Sequence, residues 1–346
     1  MDIRDISNEE LVAFLTANGQ KAFRAKQVWQ WIWEKGVGGF SEMKNIPGEL
    51  QSLLSDNYTL QKAALETTLK AKDGTTKVGF RFRDDQVAEG VFIPSRKRVT
   101  ACVSAQTGCK LNCSFCATGL LSMGRDLSAG EIFDQVFEIK RMAEAEEKNL
   151  SNIVYMGMGE PLLNYDAVMK SIEYVISKPG LAMSPSRITL STAGIVPGIR
   201  RLADDGAKFH LAISLHSANN KIRSSLMPIN KKYPLEELSE AIQYFHEKTG
   251  ERITFEYLML KDVNDTLTDA EELAVYCRSF PVKINIIEFN PVKELPYEPS
   301  TTERVDQFVK FLESRNMVVN VRQSRGHEID AACGQLANRQ MTPKNA

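Results

Sequence analysis

The stretch VTACVSAQTGCKLNCSFCATG, residues 99–119, decides the fold. Its first part, VTACVSA, has strand character. The rest places Cys109, Cys113 and Cys116 within eight positions, at a C-x3-C-x2-C spacing. The whole chain has six cysteines, so half of them crowd one loop at the end of one strand.

The surroundings bound what that loop can be. The chain has 346 residues, of which 43% are apolar and 25% charged, values ordinary for a soluble globular protein of about two domains. The formal net charge is −1, so a nucleic-acid site must be a local patch rather than a global excess of base. The N-terminal MDIRDISNEELVAFL carries acids early and has no apolar h-region, and no apolar run approaches the ~18 residues of a membrane span. The expected setting is therefore the cytoplasm. In that reducing compartment six cysteines suit ligand or catalytic roles better than a disulfide framework.

From residue 98 to 322 strand and helix alternate. The strands are VTACVSA, NIVYMGM, RITLST, KFHLAISL, RITFEYLML, KINIIEF and MVVNVR, and a capping box, Ser128 to Glu131, opens the first helix between them. Such alternation implies a parallel sheet. No G-x-G-x-x-G follows the first strand, so an incomplete barrel is expected rather than a doubly wound dinucleotide fold. Several strands end in polar residues: Glu160, Ser191, Ser214, His216 and Asn290. In a parallel α/β fold the carboxyl ends of the strands share one face, so these residues and the cysteines should ring one mouth.

Residues 1–60 read as a helical unit. Ser7 and Glu10 make a capping box, Gly19 a stop, and Ala25, Val28, Trp29, Ile32 and Trp33 form a helical stripe of core character. Trp31 lies off the stripe among Lys21, Arg24, Lys26 and Lys35, where either a solvated face or a nucleic-acid surface fits. Residues 61–97 read as a β extension. In TTKVGFRFRDD the apolar Val78, Phe80 and Phe82 alternate with basic residues, after a turn at Asp73–Gly74. In QVAEGVFIP, Glu89 shares a face with Val87, Val91 and Ile93, so it lies either on a solvated edge or in an enclosed space. Residues 323–346 form a loop and tail; RGHEIDAACGQLAN sets Cys333 on a mobile loop where a reactive role is plausible, and MTPKNA reads as a frayed end. Cys277, within ELAVYCRSF, reads as a small core residue.

The three clustered thiols admit two metal readings. Zinc wants four ligands, often as paired C-x2-C units, and no second pair is present. An iron–sulfur cluster is held by thiolates, and three of them leave one iron open to a substrate. The C-x3-C-x2-C spacing after the first strand resembles the signature of the radical S-adenosylmethionine superfamily. Gly159 and Glu160 resemble that superfamily's segment for the methionyl amine.

Over nearly the whole chain the resemblance narrows. CVSAQTGCKLNCSFCATG (102–119), YMGMGEPL (155–162), ISLHSANNKIRSSLMPINKKYP (213–234), EIDAACGQL (328–336) and FRAKQVWQWIWEKG (23–36) together resemble the bacterial dual-specificity RNA (adenine-carbon-2) methyltransferases of the RlmN type. The resemblance implies a partial (β/α)6 TIM-like barrel with a small N-terminal helical RNA-binding domain and a β-hairpin extension. It implies a [4Fe-4S] cluster on Cys109, Cys113 and Cys116, and S-adenosylmethionine consumed twice per turnover, contacted at Gly159, Glu160, Ser191, Ser214, Leu215, His216 and Asn290. Carbon 2 of adenine is electron-poor and no nucleophile, so radical chemistry supplied by a cofactor is needed there. The implied route has Cys333 take a methyl group, a radical form on that methyl and add to adenine, and Cys102 release the product as a Cys102–Cys333 disulfide. Glu89 matches the implied base. The implied partners are 23S rRNA, tRNA and an electron donor such as flavodoxin or ferredoxin, with no membrane and a monomeric chain. The Cfr-like carbon-8 methyltransferases share the cysteines; Pro161 and the tryptophan-rich helix fit the carbon-2 group better. A metal-containing RNA-binding protein without catalysis would need neither Cys102 nor Cys333. A radical enzyme acting on small molecules or proteins would leave the basic N-terminal helix without a purpose.

Overall fold

The computed structural model describes residues 1–121, 124–178 and 180–338. The end MTPKNA lies outside the described residues.

One sheet of ten strands runs in sequence order, β1 to β10. The first four strands, β1 (Ala64–Lys70), β2 (Thr76–Arg81), β3 (Val87–Ser95) and β4 (Arg98–Cys102), form an antiparallel meander. Short turns make this possible; Gly74, at φ +83°, takes the left-handed conformation that the first turn requires.

From β4 onward all pairings are parallel, through β5 (Asn149–Tyr155), β6 (Ile188–Thr192), β7 (His210–Ser214), β8 (Ile253–Met259), β9 (Val282–Glu288) and β10 (Val318–Arg322). Parallel neighbours need long crossovers, and helices supply them. With α1 (Asn8–Ala17), α2 (Phe23–Trp29) and α3 (Gly48–Asn57) in the N-terminal unit, the crossovers are α4 (Ala129–Ala145), α5 (Tyr165–Ile176), α6 (Val196–Asp204), α7 (Asn220–Leu226) with α8 (Leu235–Thr249), α9 (Leu267–Tyr276) and α10 (Thr302–Ser314). The result is six strand–helix units closed off by β10, the incomplete barrel expected from the sequence. Ser128 caps α4 with Glu131 reaching back to its amide, as the capping box requires. Ile188, Leu190, Leu211, Ile213, Phe255, Ile284 and Ile286 are fully buried, as in sheets covered by helices.

Inside the barrel one level is polar. Ser214, Glu256 and Asn285 are register partners on β7, β8 and β9, and Asn320 continues the level on β10. Asn285 donates to Glu256 Oε1 at 2.9 Å, and Arg322 reaches Glu256 Oε2 at 3.2 Å.

The N-terminal helices share the barrel's core. Trp33 stacks on Tyr174 of α5 at 3.5 Å between ring centroids and meets Phe133 of α4 edge-on at 5.1 Å. Arg4 pairs with buried Asp134 of α4 at 2.8 Å. All five stripe residues, Ala25 to Trp33, are buried, while Trp31 is half-buried with its indole N–H donated to Asn45.

The β2 pattern departs from simple alternation: Lys77, expected on a polar face, is 2% exposed. The second face of β2 is covered by the chain that follows β10. That segment crosses from β10 back to the meander. Gly326 N–H donates to Asp73, Arg325 to Pro94 O at 2.7 Å, Ala337 N–H to Glu89 Oε2 at 2.9 Å, and Asn338 to Val87 O at 2.9 Å. It fills the opening left by a sheet that does not close on itself.

Candidate active site: a cavity walled by five thiols

The carboxyl ends of the parallel strands open on a cavity of about 210 Å³. Five of the six cysteines line it: Cys102, Cys109, Cys113, Cys116 and Cys333. Cys277 is buried after α9, as a core residue.

Each wall has a local cause. Cys102 ends β4, and the cysteine loop leaves that strand directly. The loop is anchored at Ser114, whose N–H donates to Leu226 O at 2.9 Å, and at Ala117, whose N–H donates to Gly334 O at 2.7 Å. After β5 the chain must pass close to β4. A Cβ on Gly157 would stand 2.5 Å from Ser104 Oγ, and one on Gly159, at φ +92°, 2.5 Å from the Gln106 side chain. Only glycine fits at either position. Glu160 then enters the cavity wall with both oxygens engaged, accepting from Leu162 N–H at 3.0 Å and Ala193 N–H at 2.7 Å. Burial pushes its carboxyl up to about 7, against those two amides.

Ser191, Ser214 and His216 also line the cavity. His216 accepts from Leu258 N–H through Nδ1 at 3.0 Å, so the neutral ring carries its proton on Nε2. Burial, and next the charge of Arg223, lower its pKa to about 3. Two of the cofactor contacts that the resemblance implies stand back. Leu215 is fully buried beside the cavity, with N–H donated to Glu256 O and its carbonyl taken by Arg223. Asn290 is buried past the end of β9 and is not among the lining residues.

Cys102 is buried, and its thiol is pushed up to about 12 by burial and by nearby Cys333. Cys333 is exposed and also lines the cavity; the protein packed around its thiol raises its pKa and Arg322 opposes the rise. Arg322 is the single Lys or Arg among the described residues lining the cavity.

Glu89 is in an enclosed space, not on a solvated edge: it is 0% exposed. Its Oε1 lies 3.2 Å from Lys77 Nζ and its Oε2 accepts the Ala337 amide. It stands behind the wall of the cavity, beneath the C-terminal segment, rather than on its surface. The sequence reading missed four residues here: Lys77, Arg223, Glu256 and Arg322. Lys77, Glu256 and Arg322 are charged residues in strands read by their apolar pattern, and Arg223 lies in a short helix that no such pattern marks.

The comparisons with known proteins agree with this architecture. Residues 103–274 match the family model described as the Radical SAM superfamily, and residues 1–60 the model described as the ribosomal RNA large subunit methyltransferase N-terminal domain. A solved structure, a radical SAM methyltransferase from Sphaerobacter thermophilus, superposes with a TM-score of 0.92 at 39% identity, over 97% of this chain and 99% of that one. The fold and the thiol-lined cavity thus define a radical SAM methyltransferase. Two curated relatives carry the name probable dual-specificity RNA methyltransferase RlmN. The one from Christiangramia forsetii is 46% identical over 98% of this chain and 96% of its own length, and the one from Flavobacterium johnsoniae 45% over 98% and 97%. The chain belongs to the RlmN family of RNA methyltransferases.

Membership implies a [4Fe-4S] cluster and S-adenosylmethionine, and the residues fit both. The three loop thiols share one cavity wall. Burial and the neighbouring thiols Cys116 and Cys109 raise Cys113 well above its ordinary value, so three thiolates together need a positive body between them. An iron–sulfur cluster is such a body, and thiolates are its ordinary ligands. The space beside it, with Glu160, Ser191, Ser214 and His216, offers a carboxylate, two hydroxyls and a ring N–H to a polar cofactor. Among the described residues no helix is long and apolar enough to cross a membrane.

Proposed function

We propose that the chain methylates carbon 2 of adenine in 23S rRNA and in tRNA, with Cys333 as the methyl carrier. The observation that carries this reading is the placement of Cys102 and Cys333 on the same cavity as the three loop thiols. A protein that only bound metal would have no use for two further thiols there.

When bound, the cluster on Cys109, Cys113 and Cys116 and S-adenosylmethionine supply a one-electron route to a carbon radical, which the electron-poor ring carbon accepts. The chain's own residues do the rest. Cys333 sulfur displaces a methyl group from the sulfonium of one S-adenosylmethionine, forming a C–S bond as the sulfonium bond breaks. A second S-adenosylmethionine serves the radical step. Once the methylene carbon is joined to adenine, a base removes the ring proton and the adduct gives up its one unpaired electron, which the oxidised cluster would take back. Cys102 sulfur then attacks Cys333 sulfur; the S–C bond breaks, its electron pair stays on carbon and takes a proton, and a disulfide forms. Two electrons from an external reductant reset that disulfide, and a flavodoxin or ferredoxin is the class of donor suited to the cluster. Gly159, Glu160, Ser191, Ser214 and His216 orient the cofactor, while Leu215 and Asn290 act from behind the wall. Glu89 is the base of this reading. Its carboxylate reaches the cavity when the Ala337 amide and the segment bearing it move aside. The target nucleotide must leave its stack to enter so closed a space.

The test is an anaerobic reaction with unmodified ribosomal RNA and tRNA in separate tubes, followed by mass spectrometry of the digested nucleosides. The expected product is 2-methyladenosine in both. 8-Methyladenosine would place the chain with the Cfr-like activity, and no methylated adenosine, with an intact cluster that still cleaves its cofactor, would reject an RNA substrate.

A further inference from the structure

The segment ISLHSANNKIRSSLMPINKKYP holds an arginine that the mechanism above does not use. Arg223, on α7, is fully buried. A buried guanidinium ordinarily has a carboxylate partner, yet Arg223 makes no ion pair among the described residues. Neutral oxygens surround it: Ala193 O at 2.7 Å, Leu215 O at 3.1 Å, Ser214 O at 3.3 Å and Asn230 Oδ1 at 2.7 Å. The three carbonyls belong to the ends of β6 and β7, which wall the cofactor space. Its own helix touches the cysteine loop. Leu226 O takes the Ser114 amide, and Leu226 and Met227 pack with Phe115 against Cys113 and Cys116.

An uncompensated buried cation thus stands behind a loop of three thiols, which become anionic when they hold a cluster. Net charge near an iron–sulfur cluster sets its potential, and a fixed positive charge favours the more negative, reduced state. We propose that Arg223 is a positioning residue that also acts through its charge: its guanidinium is the counter-charge of the three-thiol site and raises the reduction potential of the cluster held there. This rests on the reading that Cys109, Cys113 and Cys116 hold the cluster.

Two kinds of variant separate charge from geometry. Arg223→Lys keeps the charge and loses most of the carbonyl clamp. Arg223→Gln removes the charge. Asn230→Asp leaves Arg223 in place and sets a carboxylate where Asn230 Oδ1 now accepts, cancelling the charge without emptying the site; it decides the matter if Arg223→Gln does not fold. The readout is the midpoint potential of the reconstituted cluster, followed by electron paramagnetic resonance, with iron content measured alongside. Asn230→Asp and Arg223→Gln should both titrate at more negative potential than wild type, with Arg223→Lys close to wild type. A folded Asn230→Asp protein that takes up less iron than wild type supports the same balance of charge. Equal potentials and iron contents throughout would overturn the proposal, as would a shift in Arg223→Lys as large as in Arg223→Gln with Asn230→Asp unmoved. Failure of the underlying reading looks different: wild type would take up no cluster, or Cys113→Ala would retain it.

Discussion

The cavity has two walls made in different ways. One is the ring of strand ends from β4 to β8, where Glu160, Ser191, Ser214 and His216 are held by backbone amides, by register and by Arg223 behind them. The other is the C-terminal segment with Cys333, which belongs to no strand. It is fastened by separate hydrogen bonds at Glu89, Val87, Pro94, Thr118 and Pro291 and by a few buried apolar side chains, Ala331, Ala332, Leu336 and Ala337. Each such bond contributes about 1 kcal/mol net, so this wall opens more easily than a sheet. Elements that move in function come from this less stable end of a structure. A methyl carrier must meet a sulfonium, a radical source and a nucleotide in turn, and a detachable wall allows that where a strand end would not.

The contrast can be broken at several points. The largest effect is expected for Cys333→Ala. Methylation should fall by about 10⁴-fold or more, as when a covalent nucleophile is lost, while iron content and cofactor cleavage remain. Normal turnover in that variant would remove Cys333 from the chemistry. Glu89→Gln should slow RNA methylation by about 10²–10⁴-fold, the range of general-base catalysis, while self-methylation of Cys333 proceeds at the wild-type rate. An equal slowing of both steps would make Glu89 a clasp for the C-terminal segment and not a base.

Lys77→Met sharpens the same point through stability. It leaves the Glu89 carboxylate buried without its cation, and breaking such a pair costs about 3–5 kcal/mol. Differential scanning calorimetry should show a lower Tm, and limited proteolysis should cut near Cys333 before the barrel. Cleavage first within the barrel would show that the segment is not the weaker wall.

The smallest effect concerns pH. The fold holds the His216 ring neutral, its pKa lowered to about 3 by burial and Arg223. The unfolded chain takes that proton near the ordinary value, about 6.5. The stabilisation is therefore complete above about pH 6.5 and is lost as pH falls toward 3, by up to about 1.4 kcal/mol per unit. Urea titrations of the cluster-free protein at pH 6 and pH 5 should show a smaller drop for His216→Asn than for wild type. Identical drops would mean that His216 takes a proton in the fold.

The two walls were not equally legible in the sequence. Strand wall residues announced themselves because strand ends in a parallel α/β fold share one face; of them, only Asn290 stands behind the surface rather than on it, as does Leu215, which the resemblance alone implied. The register that brings Ser214, Glu256 and Asn285 level was not legible, because alternation fixes faces and not the offset between strands. Alternation sets Lys77 on a polar face, and for Glu89 it leaves a solvated edge and an enclosed space both open. What covers that face lies some 250 residues further along the chain, a range typified by the 248-residue separation of Ala337 and Glu89. Arg223 was hidden for a similar reason: a basic residue in a short helix reads as solvated until the carbonyls of two other strands converge on it.

The central claim is that Cys333 and Cys102 act in turn on one carbon. Its most direct test is Cys102→Ala incubated anaerobically with cofactor, reductant and unmodified RNA, then digested with nuclease and protease and analysed by mass spectrometry. The account predicts a peptide containing Cys333 joined through one methylene to adenosine, because nothing remains to break the S–C bond. Free methyladenosine at the wild-type yield, with an unmodified Cys333 peptide, would contradict it.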